Sequence, residues 1–176
     1  MDLVQMLANA VNNVTDVGIR LVLAIGLVGG LVMMAMHLSS IAGKARRGQV
    51  QDGASKIVTV VVMCGATIAL HQVMNATSNQ MALGSVTFGA IAYVSEGKYG
   101  PAATAINATL TLLQLVGVIY ALQGLLRLRR SQKDGHTGLS AGDDVVSGAK
   151  RLIIGTMLAA NPRVLDALQN TLNIHW

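Results

Sequence analysis

The Lys and Arg residues of this chain are concentrated in two short polar loops, and each loop lies between long apolar stretches. The loops Gly43 to Lys56 and Arg127 to Arg151 hold ten of the 13 Lys and Arg residues. Basic loops between apolar runs of membrane length are typical of the cytoplasmic side of multi-span membrane proteins. The pattern predicts two cationic hairpin tips that face one compartment. The ten residues are Lys44, Arg46, Arg47, Lys56, Arg127, Arg129, Arg130, Lys133, Lys150 and Arg151.

The composition favours helices that pack closely in lipid. Charged residues make up only 12% of the chain and aromatic residues 3%, whereas there are 19 glycines. The charged share is about half that of an ordinary soluble protein. Small residues let helix backbones approach each other, which is how helices associate in a bilayer. The glycines predicted to serve helix packing are Gly26, Gly30, Gly65, Gly117 and Gly155.

Two apolar stretches in the first half have the length of a membrane span. Leu21 to Ala42 makes about 33 Å of helix, and Ile57 to Ala76 makes about 30 Å, at about 1.5 Å per residue. A bilayer core is about 30 Å thick. Before the first span, Met1 to Asn13 has the spacing of an amphipathic helix that lies at an interface. This segment lacks the basic residues of a signal peptide.

The middle of the chain is less regular. Met81 to Val94 is too short to span and is predicted to form a short helix at the far interface, followed by a loop over Ser95 to Gly100. Pro101 suits the first turn of the next helix. Ala102 to Leu126 is an uncharged stretch of 25 residues. Its polar residues predict that it faces another helix inside the bundle. These residues are Thr104, Asn107, Thr109, Thr111, Gln114 and Gln123.

The last quarter begins with an Asp134-Gly135 turn in the second basic loop, and Ser140 to Asp143 has the spacing of a capping box. Leu152 to Ala160 is only about 14 Å of apolar helix, so it must pack against protein neighbours or let its flanking cations reach water. Asn161-Pro162 predicts a helix restart. The tail Val164 to Trp176 is amphipathic.

The predicted fold is all-α, with four apolar helices in two tandem hairpins and an amphipathic helix at each end. Residues 1–100 form the N-terminal hairpin with its amphipathic lead and interfacial segment. Residues 101–176 form the C-terminal hairpin with its amphipathic tail, and the two halves make one compact unit.

No catalytic or metal-binding pattern is found in the sequence, and we expect a non-enzymatic protein without a metal or cofactor. The four His residues share no ligand spacing, and Asp143-Asp144 suits the first turn of a helix. Cys64 is interpreted as a packing residue. No predicted span has an internal acid, which argues against an ion-coupled transporter. We also expect no sequence-specific nucleic acid binding.

The basic tips allow two interpretations. They serve topology alone, because moving the four cations of the first loop through a membrane costs roughly 10 to 14 kcal/mol. Alternatively, they bind phospholipid headgroups or line a polar lumen, with an anionic phospholipid as structural ligand.

An apolar helix, a short cationic tip and a second apolar helix resemble the plan of conjugative pilins of the TrbC type. This chain departs from that plan in having two hairpins and no cleavable signal. In size and layout it resembles the small polytopic proteins of type IVB conjugation and secretion systems, the TraQ and IcmC/DotE group. The matching features are Gly29-Gly30, Lys44 to Arg47, and Gly148 to Gly155 continuing to Asn161-Pro162.

The resemblance implies a subunit of a conjugative DNA-transfer machine in the bacterial inner membrane, with the basic loops in the cytoplasm. We expect a homo-oligomer, a helical pilus filament with phospholipid, that meets other membrane proteins of the machine. The alternatives are a fixed inner-membrane channel or scaffold component of the same machine, and a small pore-forming, holin-like protein.

Overall fold

The computed structural model describes residues 3–48, 53–132 and 138–173. Within these ranges the chain forms helices and no strand, so the predicted all-α class is confirmed. The Asp134-Gly135 turn and Trp176 lie outside the described residues. The helices are α1 (Leu3–Arg46), α2 (Ala54–Ile68), α3 (Leu70–Gln80), α4 (Glu96–Tyr99), α5 (Pro101–Arg130), α6 (Gly138–Ala159) and α7 (Asn161–Leu172).

Helix α1 is one uninterrupted helix of 44 residues, about 66 Å long at about 1.5 Å per residue. The amphipathic lead and the first apolar run therefore share one axis. The apolar side of the lead is exposed at Leu3, Leu7 and Val14, while Ala8 and Thr15 are buried. The lead thus presents its apolar side outwards.

Helices α1 and α5 run parallel to each other. Gly18 lies against Leu115 and Gly26 against Leu122, and the Arg129 guanidinium reaches Met33. Residue numbers therefore increase in the same direction along both helices, with a nearly constant offset between contacting residues. Helix α2 returns along α1 in the opposite direction. Both basic loops therefore follow helices whose C-terminal ends point the same way.

The second apolar run is not one straight helix, contrary to the sequence prediction. It breaks at Ala69, and α2 and α3 meet at an angle of 92°. The break turns α3 across the bundle, where Leu70 and Met74 are fully buried and Leu70 lies near Gly26. Burial of these side chains against α1 and α5 explains why tertiary packing overrides a continuous helix.

The predicted short helix over Met81 to Val94 was also wrong, because residues 83–95 form neither a helix nor a strand and bend at Gly89 and Val94. We call residues 83–95 the extended segment, because alternate N–H groups, those of Gly89, Ile91 and Tyr93, donate to side chains along α5. This extended segment runs antiparallel to α5 and bonds to its polar side chains. Gln114 accepts from the N–H of Gly89 at 3.4 Å and donates to the carbonyl of Thr87, and Thr111 accepts from the N–H of Ile91 at 3.1 Å. The Asn107 amide accepts from the N–H groups of Tyr93 and Val94 at 3.0 and 2.9 Å, and donates to the Val94 carbonyl at 2.9 Å.

These contacts explain the polar residues of α5. Asn107, Thr111 and Gln114 recur at helical spacing and therefore form one row on the helix surface. Helix α5 lies inside the molecule as predicted, but this row meets mainly the backbone of the extended segment. Gln114 also donates to the Ala159 carbonyl of α6 at 3.4 Å. Each bond pairs a backbone group that would otherwise be costly to bury.

The last two helices differ in detail from the prediction. Helix α6 begins at Gly138, so Ser140 lies inside the helix and is not its N-cap. The restart at Asn161-Pro162 is confirmed, with Pro162 in the first turn of α7. The Asn161 amide donates to the Leu110 carbonyl at 2.7 Å, so this side chain ties α7 to α5.

Helices α1 and α5 are each long and apolar enough to cross a membrane. Helices α2 and α3 pass that test only as a bent pair, and α6 alone is not among the candidate spans in the described part of the chain. The four-span hairpin plan and the division at residue 100 stay predictions.

We expect Asn107→Leu to destabilise the protein by about 2–6 kcal/mol, because each of two backbone N–H groups left without an acceptor costs about 1–3 kcal/mol. Chemical denaturation in mild detergent, followed by circular dichroism, measures this change. Loosening of the extended segment should also speed trypsin cleavage after the exposed Lys98.

Thr109→Val is the matched control. Thr109 is exposed and bonds only to Ala105 of its own helix at 2.8 Å, so its loss should cost less than about 0.5 kcal/mol. Equal destabilisation by the two variants would contradict the assigned role of Asn107.

Candidate functional site: the glycine contact and the basic residues it positions

Helices α5 and α6 pack backbone against backbone through four glycines. A Cβ placed on Gly117 would lie 2.5 Å from the Ala159 nitrogen and 2.6 Å from the Gly155 carbonyl oxygen. A Cβ on Gly155 would lie 2.5 Å from the Ala121 nitrogen. Gly124 and Gly148 face each other in the same way nearer the basic end. No other side chain fits at these positions without moving a backbone.

The packing roles predicted for Gly26 and Gly30 agree with their surroundings. A Cβ on Gly26 would lie 3.1 Å from the Thr67 carbonyl oxygen, and one on Gly30 would lie 3.1 Å from the Cys64 carbonyl oxygen. This pair therefore brings α1 against α2. Gly65 has open space at its Cβ position within the described chain. Its packing role stays a prediction.

The basic residues at the end of α5 lie against α1 and α6. The Arg127 guanidinium donates to the Ser147 hydroxyl at 2.6 Å. The Arg130 Nε lies 3.9 Å from an Asp144 carboxylate oxygen, and this side chain of Arg130 is 67% exposed. A pair at that distance and exposure contributes little to stability. It leaves the charge of Arg130 available to an anion.

Of these three arginines, Arg129 has the fewest of its hydrogen-bond donors paired. Its guanidinium points at the sulfur of Met33, a weak acceptor. Its Nε is buried and has no hydrogen-bond partner within the described chain. Arg129 is half-buried, and partial burial of a cation without a carboxylate partner has a cost that an anion bound at this end would relieve.

Of the two cations of α6, Arg151 contacts α5. Arg151 donates to the Gln123 side chain at 2.9 Å and stacks over the Tyr120 ring at 5.3 Å. A cation over an aromatic face is stabilised by the ring quadrupole. Lys150 is exposed.

The cations of the first loop lie at the far end of α1. Arg46 and Arg47 are exposed, and Lys44 is half-buried. One open face at this end of α1 carries Met36, then the hydroxyls of Ser39 and Ser40, and then Lys44 and Arg47. It therefore combines an apolar end with a cationic one. Lys56 lies in the first turn of α2, and Lys133 lies outside the described residues.

The described basic residues do not form one cluster. Arg129 is level with Met33, and α1 continues from there to Arg46. At about 1.5 Å per residue, the two sets of cations are about 20 Å apart along the bundle axis.

Tyr93 lies near the other end of the bundle, close to α7. Burial of its hydroxyl raises the pKa of Tyr93, and the Asp166 carboxylate raises it further. The phenol therefore stays protonated at neutral pH. Among the described residues, no three His, Cys, Asp or Glu side chains come together as a metal site.

Three features of this arrangement are absent from the sequence prediction: Gly124, Gly148 and the contact of Arg129 with Met33. The sequence does contain a pattern that predicts the packing role of the glycines. Gly117 and Gly124 are seven residues apart, and so are Gly148 and Gly155, which places each pair on one face of its helix. No sequence pattern predicts the contact of Arg129 with Met33, because the two residues are far apart in the chain.

The chain matches no protein-family model, and no curated protein or solved structure is similar to it.

We expect Gly155→Ala to destabilise the protein by at least about 2 kcal/mol, because the added methyl group must push α5 and α6 apart. Gly65→Ala is the matched control in another helix. It should be neutral or stabilising by up to about 1 kcal/mol, since Ala favours helix and meets open space. Thermal unfolding of both variants in detergent measures the difference, and equal behaviour would refute the backbone contact.

Proposed function

We propose that this chain is a non-enzymatic, self-assembling subunit of a type IVB-like conjugative transfer system, a pilus subunit that associates with phospholipid. The observation that carries the proposal is an uncovered apolar stripe on α1. Leu21, Ile25, Val28, Val32 and Met36 recur at helical spacing, and each is more than half exposed. Only 17% of the most apolar stretch of α1 is buried. Such a surface needs lipid or a sister subunit to cover it.

The relative height of the apolar runs supports assembly with sister subunits. Because Gly26 is level with Leu122, the centre of Leu21 to Ala42 lies about 20 Å further along the axis than the centre of Ala102 to Leu126. A flat bilayer core of about 30 Å cannot cover both runs completely. Neighbouring copies with the same stagger can cover what the bilayer leaves exposed.

The basic residues support association with phospholipid. Arg129 lacks a carboxylate partner in the described chain, and Lys44 and Arg47 lie on an open face of α1 that is apolar at Met36. A phosphate next to an acyl chain has the complementary chemistry. In a polymer, bound anionic lipid would also reduce the repulsion between cations of neighbouring subunits.

The second candidate is a fixed channel or scaffold component in the inner membrane. It is favoured by the length and hydropathy of α1 and α5, which suit residence in a bilayer without polymerisation. Negative-stain microscopy of sheared cell-surface material, with an antibody against this chain, separates the two functions. Filaments that carry the label support the pilus subunit. Label confined to the membrane fraction supports the fixed component and rejects the pilus.

We expect Arg46→Glu with Arg47→Glu to remove bound anionic lipid and to block assembly. Each cation near an anionic surface contributes about 1 kcal/mol, so the double change should weaken lipid binding by at least about 30-fold. Mass spectrometry of lipid extracted from the purified assembly measures this loss.

Lys98→Glu with Arg163→Glu makes the same change of charge on exposed residues at the other end of the molecule. This control should keep its lipid and its assembly. Unchanged filaments with unchanged lipid in the Arg46 and Arg47 variant would refute the role of the first basic loop.

A further inference from the structure

The start of α1 carries a row of polar side chains that faces the extended segment. Gln5, Asn9 and Asn12 line a cavity of about 340 Å³, together with Ala90 and Ala92 of that segment. The side-chain oxygen of Asn12 is buried and accepts no hydrogen bond within the described chain. The cavity is therefore lined by amide groups with unused bonding capacity.

The row on α1 repeats the spacing of the row on α5. Gln5, Asn9 and Asn12 are separated by four and then three residues, as are Asn107, Thr111 and Gln114. The row on α5 binds six backbone groups of the extended segment, four N–H groups and two carbonyls. The row on α1 has the same spacing, and its three amides can each donate and accept, so it is suited to an extended backbone.

The extended segment has a free edge beside this cavity. The N–H groups of Ile91 and Tyr93 donate to α5. Ala90 and Ala92 alternate with the donors Gly89, Ile91 and Tyr93, so their N–H groups point away from α5. This alternation ends at the bend at Val94, whose N–H also donates to Asn107. Neither the N–H of Ala90 nor that of Ala92 donates to another atom in the described part of the chain. An unpaired edge of this kind is a template for another strand.

We propose that this cavity is a docking site for an extended polypeptide segment of a partner protein, which pairs with Ala90 and Ala92 on one side and with the amides of α1 on the other. The row from Gln5 to Asn12 is about 10 Å long, which matches about three residues of extended chain. This mode of recognition is strand addition, in which backbone bonds give affinity. The site is separate from the surfaces that carry the proposed function.

The lining specifies the chemistry of the partner. Glu96 is the one charged side chain among the residues that line the cavity, and it accepts from the Thr104 hydroxyl at 2.9 Å. The partner segment therefore carries a basic residue near Glu96. Its other side chains are small or uncharged where it passes Ala90 and Ala92, because an unpaired charge there would be costly.

The test uses the full chain in mild detergent and a fluorescent peptide of alternating Thr and Val with a terminal Lys. We expect saturable binding by fluorescence anisotropy. The same peptide with alternate amides N-methylated should not bind, because it cannot form the backbone bonds. The proposal is overturned if both peptides bind with equal affinity or if neither binds. The cavity would then be only a water-filled recess.

Substitution of Gln5, Asn9 and Asn12 by Leu should weaken binding of the unmodified peptide by at least about tenfold. Asn13→Leu is the matched control, since Asn13 is exposed and does not line the cavity. Circular dichroism of each variant verifies that it folds. A single Glu96→Gln variant, which keeps the Thr104 bond, should weaken only peptides that carry the Lys. Equal effects of the Asn13 and triple variants would overturn the proposal.

Discussion

The close approach of α5 and α6 is the contact on which the rest of the structure depends. A methyl group on Gly117 or Gly155 would lie 2.5 Å from a backbone nitrogen of the facing helix, so the two backbones nearly touch. This contact fixes the height of α6 relative to α5. The same register brings Asn161 to the Leu110 carbonyl at one end and Ser147 to Arg127 at the other. A shift of one residue would lose both bonds.

The other face of α5 meets a second physical requirement: backbone polar groups of the neighbouring segment must form hydrogen bonds. Residues 83–95 form neither a helix nor a strand, so the N–H groups that this segment turns towards α5 need side-chain acceptors. Asn107, Thr111 and Gln114 supply them. In a protein that contacts lipid this need is stronger, because no water is present to replace a missing partner. Helix α5 is therefore apolar in composition and yet polar along one row.

Local patterns predicted what local chemistry controls. Pro101 begins a helix, Asn161-Pro162 restarts one, and Gly26 with Gly30 admits a second backbone, because each depends on a few neighbouring residues. The bend at Ala69 and the extended segment were not predictable in this way. The bend exists because Leu70 and Met74 are buried against other helices. The segment exists because a helix later in the chain bonds to its backbone.

The sequence by itself determined that the chain is helical and that most of its cations follow apolar stretches. Both properties depend on hydropathy and on helix-end residues, which can be recognised within a few neighbouring residues. Only the tertiary structure decided how those cations are placed relative to one another. Gly18 and Gly26 pack against Leu115 and Leu122, which sets α1 about 20 Å further along the axis than α5. No local pattern encodes that offset, since it is a property of two surfaces that fit together. It divides the basic residues into two separate sets.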